Sequence, residues 1–200
     1  MKRVLLLLPN GFEVLEVAAI TDVLGWEDTY GLEHIEVVTG ALHSQVQNAF
    51  RSKVIPDMQL KDVSIEAFDA LVVPGGFETA GYYDDAYSGG FLDIIRGFKA
   101  AGKPIASICV GALPLAKSGI LTGSCATTYS LRGGKRKRQL EDMGAKFTDG
   151  ALIQDGKVIT SSSPATSIEV ALILLEILTS REIANEIRNL MGFGQSKSEG

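Results

Sequence analysis

The stretch that decides the fold is Lys103-Pro-Ile-Ala-Ser-Ile-Cys-Val-Gly-Ala112. Its first part is apolar and has the length of a buried parallel strand, and residues 113–118 continue with a helical pattern. Cys109 therefore falls where a central strand ends and a helix begins, the edge at which open α/β sheets bind ligands. Small residues at 111 and 112 permit a tight turn of the kind that holds a nucleophile exposed.

This position predicts a reactive thiol at Cys109. The free N–H groups at the start of a helix stabilise a thiolate, so we expect a lowered thiol pKa and a nucleophile at neutral pH. The competing interpretation is a cysteine that only packs in the core, which is common for a lone cysteine. The placement at the end of a strand favours the functional interpretation.

Along the rest of the chain, short apolar runs alternate with longer segments of helical period. This pattern predicts one α/β domain over residues 1–191, in which helices cover both faces of a mostly parallel sheet. Two late apolar runs, 152–154 and 158–160, flank Asp155-Gly156, and this spacing predicts a hairpin. Residues 192–200 are expected to form a disordered tail.

A glycine-rich loop follows another apolar strand, at Val73-Pro74-Gly75-Gly76-Phe77. Glycines let the backbone approach a ligand closely, so Gly75 is a candidate pocket residue. The N–H of Gly76, together with that of Val110, is a candidate oxyanion hole. A Pro-Gly-Gly turn is weak evidence alone, and its value comes from the pairing with Cys109.

Two carboxylates, Glu13 and Glu16, lie three residues apart at the start of the helix after the first strand. The apolar neighbours of Glu16 predict that this side chain is turned inward. Buried near a thiol, such an acid has a raised pKa and can share its proton with sulfur. Glu16 is therefore the candidate functional acid, whereas Glu13 is expected to cap the helix or to pair locally.

Composition excludes several classes of function. A net charge of −5 disfavours a nucleic-acid partner, and the basic run 135–138 is interpreted as a solvated helix start. The apolar run 4–8 is too short for a signal peptide or a membrane span, so we expect no membrane partner.

With Cys125 as the only other cysteine there is no disulfide framework, which favours the cytoplasm. No metal or dinucleotide motif is present, so we expect neither a metal nor another cofactor.

Residues 11–16, 73–76, 106–111 and 161–169 together resemble the ThiJ/PfpI superfamily, on the branch of the Parkinson's-disease protein deglycase. The resemblance extends over nearly the whole chain. It implies a flavodoxin-like sandwich, usually a homodimer, with Cys109 as the reactive cysteine and Glu16 as the acid that hydrogen-bonds it. It also implies Gly76 and Val110 as oxyanion donors, and ready oxidation of the cysteine to a sulfinate.

One position departs from the family pattern. Many members carry a histidine after the Thr-Thr that follows the elbow helix, whereas this chain has Thr127-Thr128-Tyr129. Neither His34 nor His43 offers an obvious replacement, so a cysteine–histidine dyad of the protease type is in doubt. Tyr129 is a candidate pocket residue, with a partly buried strand tyrosine as the alternative.

The sequence leaves two classes of function open. In the first, an enzyme of glyoxalase-III or deglycase type uses the Cys109 thiolate to attack a small reactive carbonyl, and Glu16 transfers a proton. In the second, the protein is a redox sensor or chaperone that uses a Cys109 sulfinate. Other activities of the superfamily, such as isocyanide hydratase, amidase or peptidase, are further alternatives.

Overall fold

A computed structural model describes residues 1–31 and 33–194, and its centre is a seven-stranded sheet. The strands in the described part of the chain are β1 (Lys2–Leu7), β2 (Ile35–Ala41), β3 (Val46–Gln47), β4 (Lys53–Val54), β5 (Met58–Gln59), β6 (Ala70–Val73), β7 (Ile105–Ser107), β8 (Cys125–Ala126), β9 (Lys146–Phe147), β10 (Leu152–Asp155) and β11 (Val158–Ser161). The main sheet has the order β10-β11-β7-β6-β1-β2-β5, and only β10 runs antiparallel to its neighbour.

Helices surround this sheet as two packed groups. They are α1 (Val14–Tyr30), α2 (Tyr82–Ala86), α3 (Gly89–Ala100), α4 (Ala112–Lys117), α5 (Lys135–Asp142), α6 (Ser167–Leu178) and α7 (Arg181–Leu190). α1, α6 and α7 pack against one another, and α3, α4 and α5 form a second connected group. The predicted α/β class with a mostly parallel sheet is confirmed, and the five central strands have the flavodoxin-like order.

The central strands carry mainly hydrophobic residues where helices cover them. Every residue of β6 and β7 is buried, as are Val4–Leu7 within β1. β1 pairs in parallel with β2 on one side and with β6 on the other. The chain therefore turns to opposite sides after β1 and β6, and this topological switch point opens a crevice at the carboxyl ends of the strands.

The structure refines several expected boundaries. The sequence pattern predicts the helix after β1 over residues 13–24, whereas α1 continues to Tyr30, six residues beyond that expected end. The predicted hairpin of β10 and β11 is confirmed, but its two loop residues are Gly156 and Lys157, one position later than expected. At the carboxyl end, Phe193 N donates to Arg188 O in a turn after α7. The rest of the predicted tail, 195–200, lies outside the described residues.

Two negative findings concern the described residues alone. No helix within 1–31 and 33–194 is both long enough and apolar enough to cross a membrane. In the same part of the chain, no cluster of three or more His, Cys, Asp and Glu side chains has a geometry that could hold a metal ion.

Candidate active site

Cys109 lies on a strained turn between β7 and α4. Its φ is +54°, a left-handed conformation that costs a residue with a β-carbon energy and that is typical of functional turns. A 3₁₀ turn over Cys109–Gly111 leads into α4. The carbonyl of Cys109 accepts a hydrogen bond from Thr128 Oγ1 at 2.9 Å, and Gly111 N donates to Ile108 O at 2.8 Å. These contacts hold the backbone in the strained conformation.

Gly111 allows this turn to lie against the loop after β6. A β-carbon at this position would be 2.3 Å from Val73 O, a backbone atom that cannot move aside cheaply. The absence of a side chain therefore sets how closely the Cys109 turn approaches the neighbouring strand.

Gly111→Ala is expected to lower the free energy of unfolding by about 2 kcal/mol, because the added methyl group overpacks a buried backbone contact. The matched control is Gly25→Ala in the middle of α1, where a β-carbon would meet no atom within 4 Å. That change is expected to stabilise by up to about 1 kcal/mol through helix propensity. Urea denaturation measures both values, and equal effects of the two substitutions would contradict this account of the turn.

Glu16 is fully buried in the first turn of α1. Its Oε2 accepts a hydrogen bond from Gly75 N at 2.5 Å, whereas Oε1 has no hydrogen bond of normal geometry to any described residue. The pKa of Glu16 is raised to about 8, mainly by burial and also by the charge of Glu13, against the lowering effects of the Gly75 N–H and of Cys109. Glu16 therefore carries a proton over much of the neutral range.

The thiol of Cys109 lies beside this carboxyl and is only 7% exposed. The expected lowering of its pKa is wrong: burial raises the pKa of Cys109, and the negative charge of Glu16 raises it further. The N–H of Val110 acts in the lowering direction but is outweighed. Because a protonated Glu16 no longer repels a thiolate, the two groups titrate as a pair that releases its first proton near the pKa of Glu16.

The rate at which iodoacetamide alkylates Cys109 is expected to rise about tenfold per pH unit up to about pH 8 and then to level off. Below this pH the pair holds both protons, and above it one proton is shared between sulfur and carboxylate. Mass spectrometry of the Cys109 peptide measures the rate, with exposed Cys125 as the internal reference. A plateau already reached below pH 6 would contradict the coupled titration.

Stability gives a second test of the same titration. Unfolded Glu16 loses its proton near pH 4.5, whereas the folded protein keeps it until about pH 8. The unfolded state therefore binds fewer protons in this window. The contribution of Glu16 to stability is thus fully present below pH 4.5 and is lost as the pH rises to 8. The loss amounts to several kcal/mol, and Glu16→Gln is expected to remove this part of the pH dependence.

Cys109 opens onto a pocket of about 500 Å³ that Gly76, Val110 and Tyr129 also line. Phe12 and Gly76 form an antiparallel bridge, and the N–H of Gly76 makes no backbone hydrogen bond within the described chain. The two residues that carry the candidate oxyanion donors thus line the same pocket as Cys109. Their role there stays a prediction.

The other candidates fall in different places. Gly75 does not line the pocket: it lies behind Cys109, where a β-carbon would come within 3.0 Å of both Cys109 Cβ and Glu16 Oε2.

Glu13 is the residue before α1, but its side chain makes no capping hydrogen bond and lines the pocket instead. Burial raises the pKa of Glu13. His43 pairs with Asp85 at 2.9 Å and is not a lining residue.

Sequence reasoning missed the basic residues of the pocket. Arg132, Lys135 and Arg136 line it, and the last two pair with Glu78 at 2.8 and 2.7 Å. Lys135 begins α5 and is exposed, in agreement with the interpretation of 135–138 as a solvated helix start. That interpretation is incomplete, because Lys135 and the partly buried Arg136 also line the pocket. The run of basic residues at the start of the helix could have indicated their role. Cations in the first turn of a helix interact unfavourably with the helix dipole, which points to another role for these side chains.

A flavodoxin-like sheet, a cysteine on a strained turn after a central strand, and a buried acid behind that cysteine define a class of α/β proteins with a nucleophile elbow. The chain belongs to the DJ-1/PfpI family, whose family model matches residues 2–177.

Individual relatives extend over almost the full chain. Protein dj-1beta of Drosophila melanogaster is 30% identical over 188 residues, covering 93% of this chain and 94% of the relative. The glutathione-independent glyoxalase DJR-1.2 of Caenorhabditis elegans is 28% identical over 186 residues, covering 92% and 91%. The crystal structure of Drosophila DJ-1beta superposes with a TM-score of 0.83 at 29% identity, covering 95% of this chain and 97% of that one.

Proposed function

We propose that this protein is an enzyme that uses Cys109 and Glu16, without a cofactor, to convert small reactive carbonyl compounds into hydroxy acids. The observation that carries the proposal is a buried carboxyl with a pKa of about 8 next to a thiol that opens onto a pocket. A group that titrates near neutral pH is suited to accept and return a proton during turnover. The similarity to a relative named as a glutathione-independent glyoxalase supports the same class of reaction.

The reaction balances with water as the only co-reactant. The Cys109 thiolate adds to the aldehyde carbon of a 2-oxoaldehyde, and the Glu16 carboxyl gives its proton to the aldehyde oxygen, which forms a hemithioacetal. The Glu16 carboxylate then removes the proton from that carbon and returns it to the neighbouring carbon, while the hydroxyl proton passes to the neighbouring oxygen. The hemithioacetal thereby becomes a 2-hydroxy thioester. Water then hydrolyses the thioester, which releases the hydroxy acid and restores the thiol.

The backbone N–H groups of Gly76 and Val110 have a defined part in this scheme. Negative charge develops on the carbonyl oxygen when sulfur adds and again when water attacks the thioester. Preorganised N–H donors at the wall of the pocket stabilise such charge without reorganising. Tyr129 contributes one wall of the pocket, and we assign it no proton transfer.

The test is the formation of lactate from methylglyoxal by the purified protein, with a chelator present and without added thiol. Both enantiomers of lactate are quantified. Sustained production over many turnovers supports the proposal. Consumption of one equivalent of methylglyoxal without lactate would show a thiol that is modified rather than catalytic.

A second candidate function is redox sensing through oxidation of Cys109. Two equivalents of hydrogen peroxide would oxidise the thiol to a sulfinic acid and become two molecules of water. The observation in favour is that Glu16 Oε1 is buried without a partner among the described residues, in a carboxyl group that lies beside the thiol. If peroxide adds two oxygen atoms to Cys109 while methylglyoxal is not turned over, this candidate replaces the first.

We also propose that the protein forms a homodimer through exposed apolar side chains. Val14 and Leu15 at the start of α1 are exposed, as are Phe50, Ile55 and Phe77. The rings of Phe50 and Phe77 pack edge to face at 5.6 Å. Exposed apolar groups of this kind mark interaction surfaces. A single-chain mass by analytical ultracentrifugation at micromolar concentration would overturn the proposal.

A further inference from the structure

The pocket above Cys109 carries an unusual set of charges for an acidic protein. Three cations, Arg132, Lys135 and Arg136, line it together with two carboxylates, Glu13 and Glu78. Hydrogen bonds from Lys135 and Arg136 lower the pKa of Glu78, which is therefore ionised at neutral pH. The lining thus has an excess of positive charge, whereas the whole chain has a net charge of −5.

Arg136 is held in place at this wall. Its Nη1 donates to Gln139 Oε1 at 2.8 Å, its Nη2 donates to Glu78 at 2.7 Å, and its guanidinium lies 5.1 Å from the centre of the Tyr83 ring. A cation that is fixed by three neighbours is preorganised for a ligand, since little side-chain entropy is lost on binding.

Arg132, in contrast, makes no ion pair with any residue in 1–31 or 33–194. It stands in the loop before α5 with φ +56°, a conformation that glycine would adopt without strain. A guanidinium presents parallel N–H donors that match the two oxygens of a carboxylate or a phosphate. An arginine in a strained position at a pocket, without a protein partner, is suited to an anionic ligand.

The start of α5 adds an independent observation. Its first four residues are all basic, Lys135-Arg136-Lys137-Arg138, although the amino end of a helix is already its positive end. The residue before the helix, Gly134, supplies no side-chain cap. This arrangement opposes helix stability, and a bound anion would relieve the unfavourable charge.

We propose that Arg132, Lys135 and Arg136 bind an anionic group of the substrate, so that the protein prefers reactive carbonyl compounds that carry a carboxylate or a phosphate. This inference rests on the proposed carbonyl activity at Cys109. A pocket of about 500 Å³ has the size of sites that hold ligands much larger than a three-carbon aldehyde. It therefore has room for an anionic extension beyond the reacting carbons.

The test compares 4,5-dioxopentanoate, a 2-oxoaldehyde with a carboxylate, with its neutral methyl ester. We expect kcat/KM to be about tenfold higher for the anion at low ionic strength, and added salt to narrow the difference. Arg132→Gly removes the guanidinium and relieves the backbone strain, so the fold is retained. It is expected to raise KM for the anion severalfold and to leave KM for the ester unchanged. Lys137→Ala removes a cation that does not line the pocket and is expected to leave KM for both compounds unchanged.

Each outcome decides one of the two proposals. Turnover of both compounds with equal kcat/KM would overturn the anion preference and leave the carbonyl activity standing. If neither compound is turned over, the carbonyl activity fails, and protection of Cys109 from alkylation by 4-oxopentanoate decides the anion site. Protection that Arg132→Gly removes supports the site, and no protection overturns it. The phosphate ester of hydroxypyruvaldehyde, tested in parallel, shows which of the two anions is preferred.

Discussion

Cys109→Ser is expected to lower lactate formation from methylglyoxal about a thousandfold or more, because a hydroxyl next to Glu16 is a far weaker nucleophile than a thiol that can release its proton. Serine has the same shape as cysteine and is slightly smaller, and it can adopt the same φ of +54°. The variant is therefore expected to fold normally. Loss of activity with an unchanged melting temperature would identify the thiol itself as the required group.

The matched control is Cys125→Ser, which makes the same change at an exposed position outside the pocket. This variant is expected to retain wild-type activity within about twofold, as is usual for surface substitutions. Equal losses in the two variants would point to a shared effect of thiol oxidation or of folding. Full activity in Cys109→Ser would rule out covalent catalysis by this cysteine.

Glu16→Gln is expected to reduce kcat by about a hundredfold to ten-thousandfold, the range that general acid–base catalysis contributes. Glutamine keeps the shape of the side chain, and its amide oxygen can still accept the hydrogen bond from Gly75 N. It cannot take up or return a proton. The effect should therefore fall on the rearrangement after sulfur addition, and Cys109 should still be alkylated by iodoacetamide.

The control for this change is Glu36→Gln on β2, where the carboxylate pairs with Arg3 at 2.6 Å and is partly exposed. It makes the same change from carboxyl to amide at a site whose surface ion pair is worth little. We expect unchanged kinetics for Glu36→Gln. A glutamine at position 16 that leaves kcat intact would show that Glu16 has only a structural role.

Much of the fold follows from residues 103–112 and from the apolar runs around them. A buried strand that leads into small residues and a helix has few alternatives, so β7, the turn at Cys109 and α4 lie where the pattern predicts them. The inward turn of Glu16 was also predictable, because apolar residues surround it in the first turn of α1. These are local properties of a sequence, in which neighbouring residues carry the information.

The pKa of Cys109 and the charges of the pocket were not predictable in the same way. The start of a helix argues for a thiolate, but burial behind α1 outweighs that effect, and the extent of burial depends on the packing of distant segments. Similarly, Glu78 meets Lys135 only because the loops after β6 and before α5 converge at one edge of the sheet.

The two-residue strands β3 and β4 are too short to leave a periodic signal.

The central claim is that the Cys109 thiol and the Glu16 carboxyl together carry out proton-transfer chemistry on a carbonyl substrate. The most direct measurement is the NMR spectrum of lactate that forms from methylglyoxal in deuterium oxide. The proton on Glu16 exchanges with deuterium from the solvent, so the wild type is predicted to yield lactate that carries deuterium at the carbon bearing the hydroxyl. Glu16→Gln is predicted to yield almost no lactate. No lactate from the wild type, or lactate at equal rates from the wild type and Cys109→Ser, would contradict the claim.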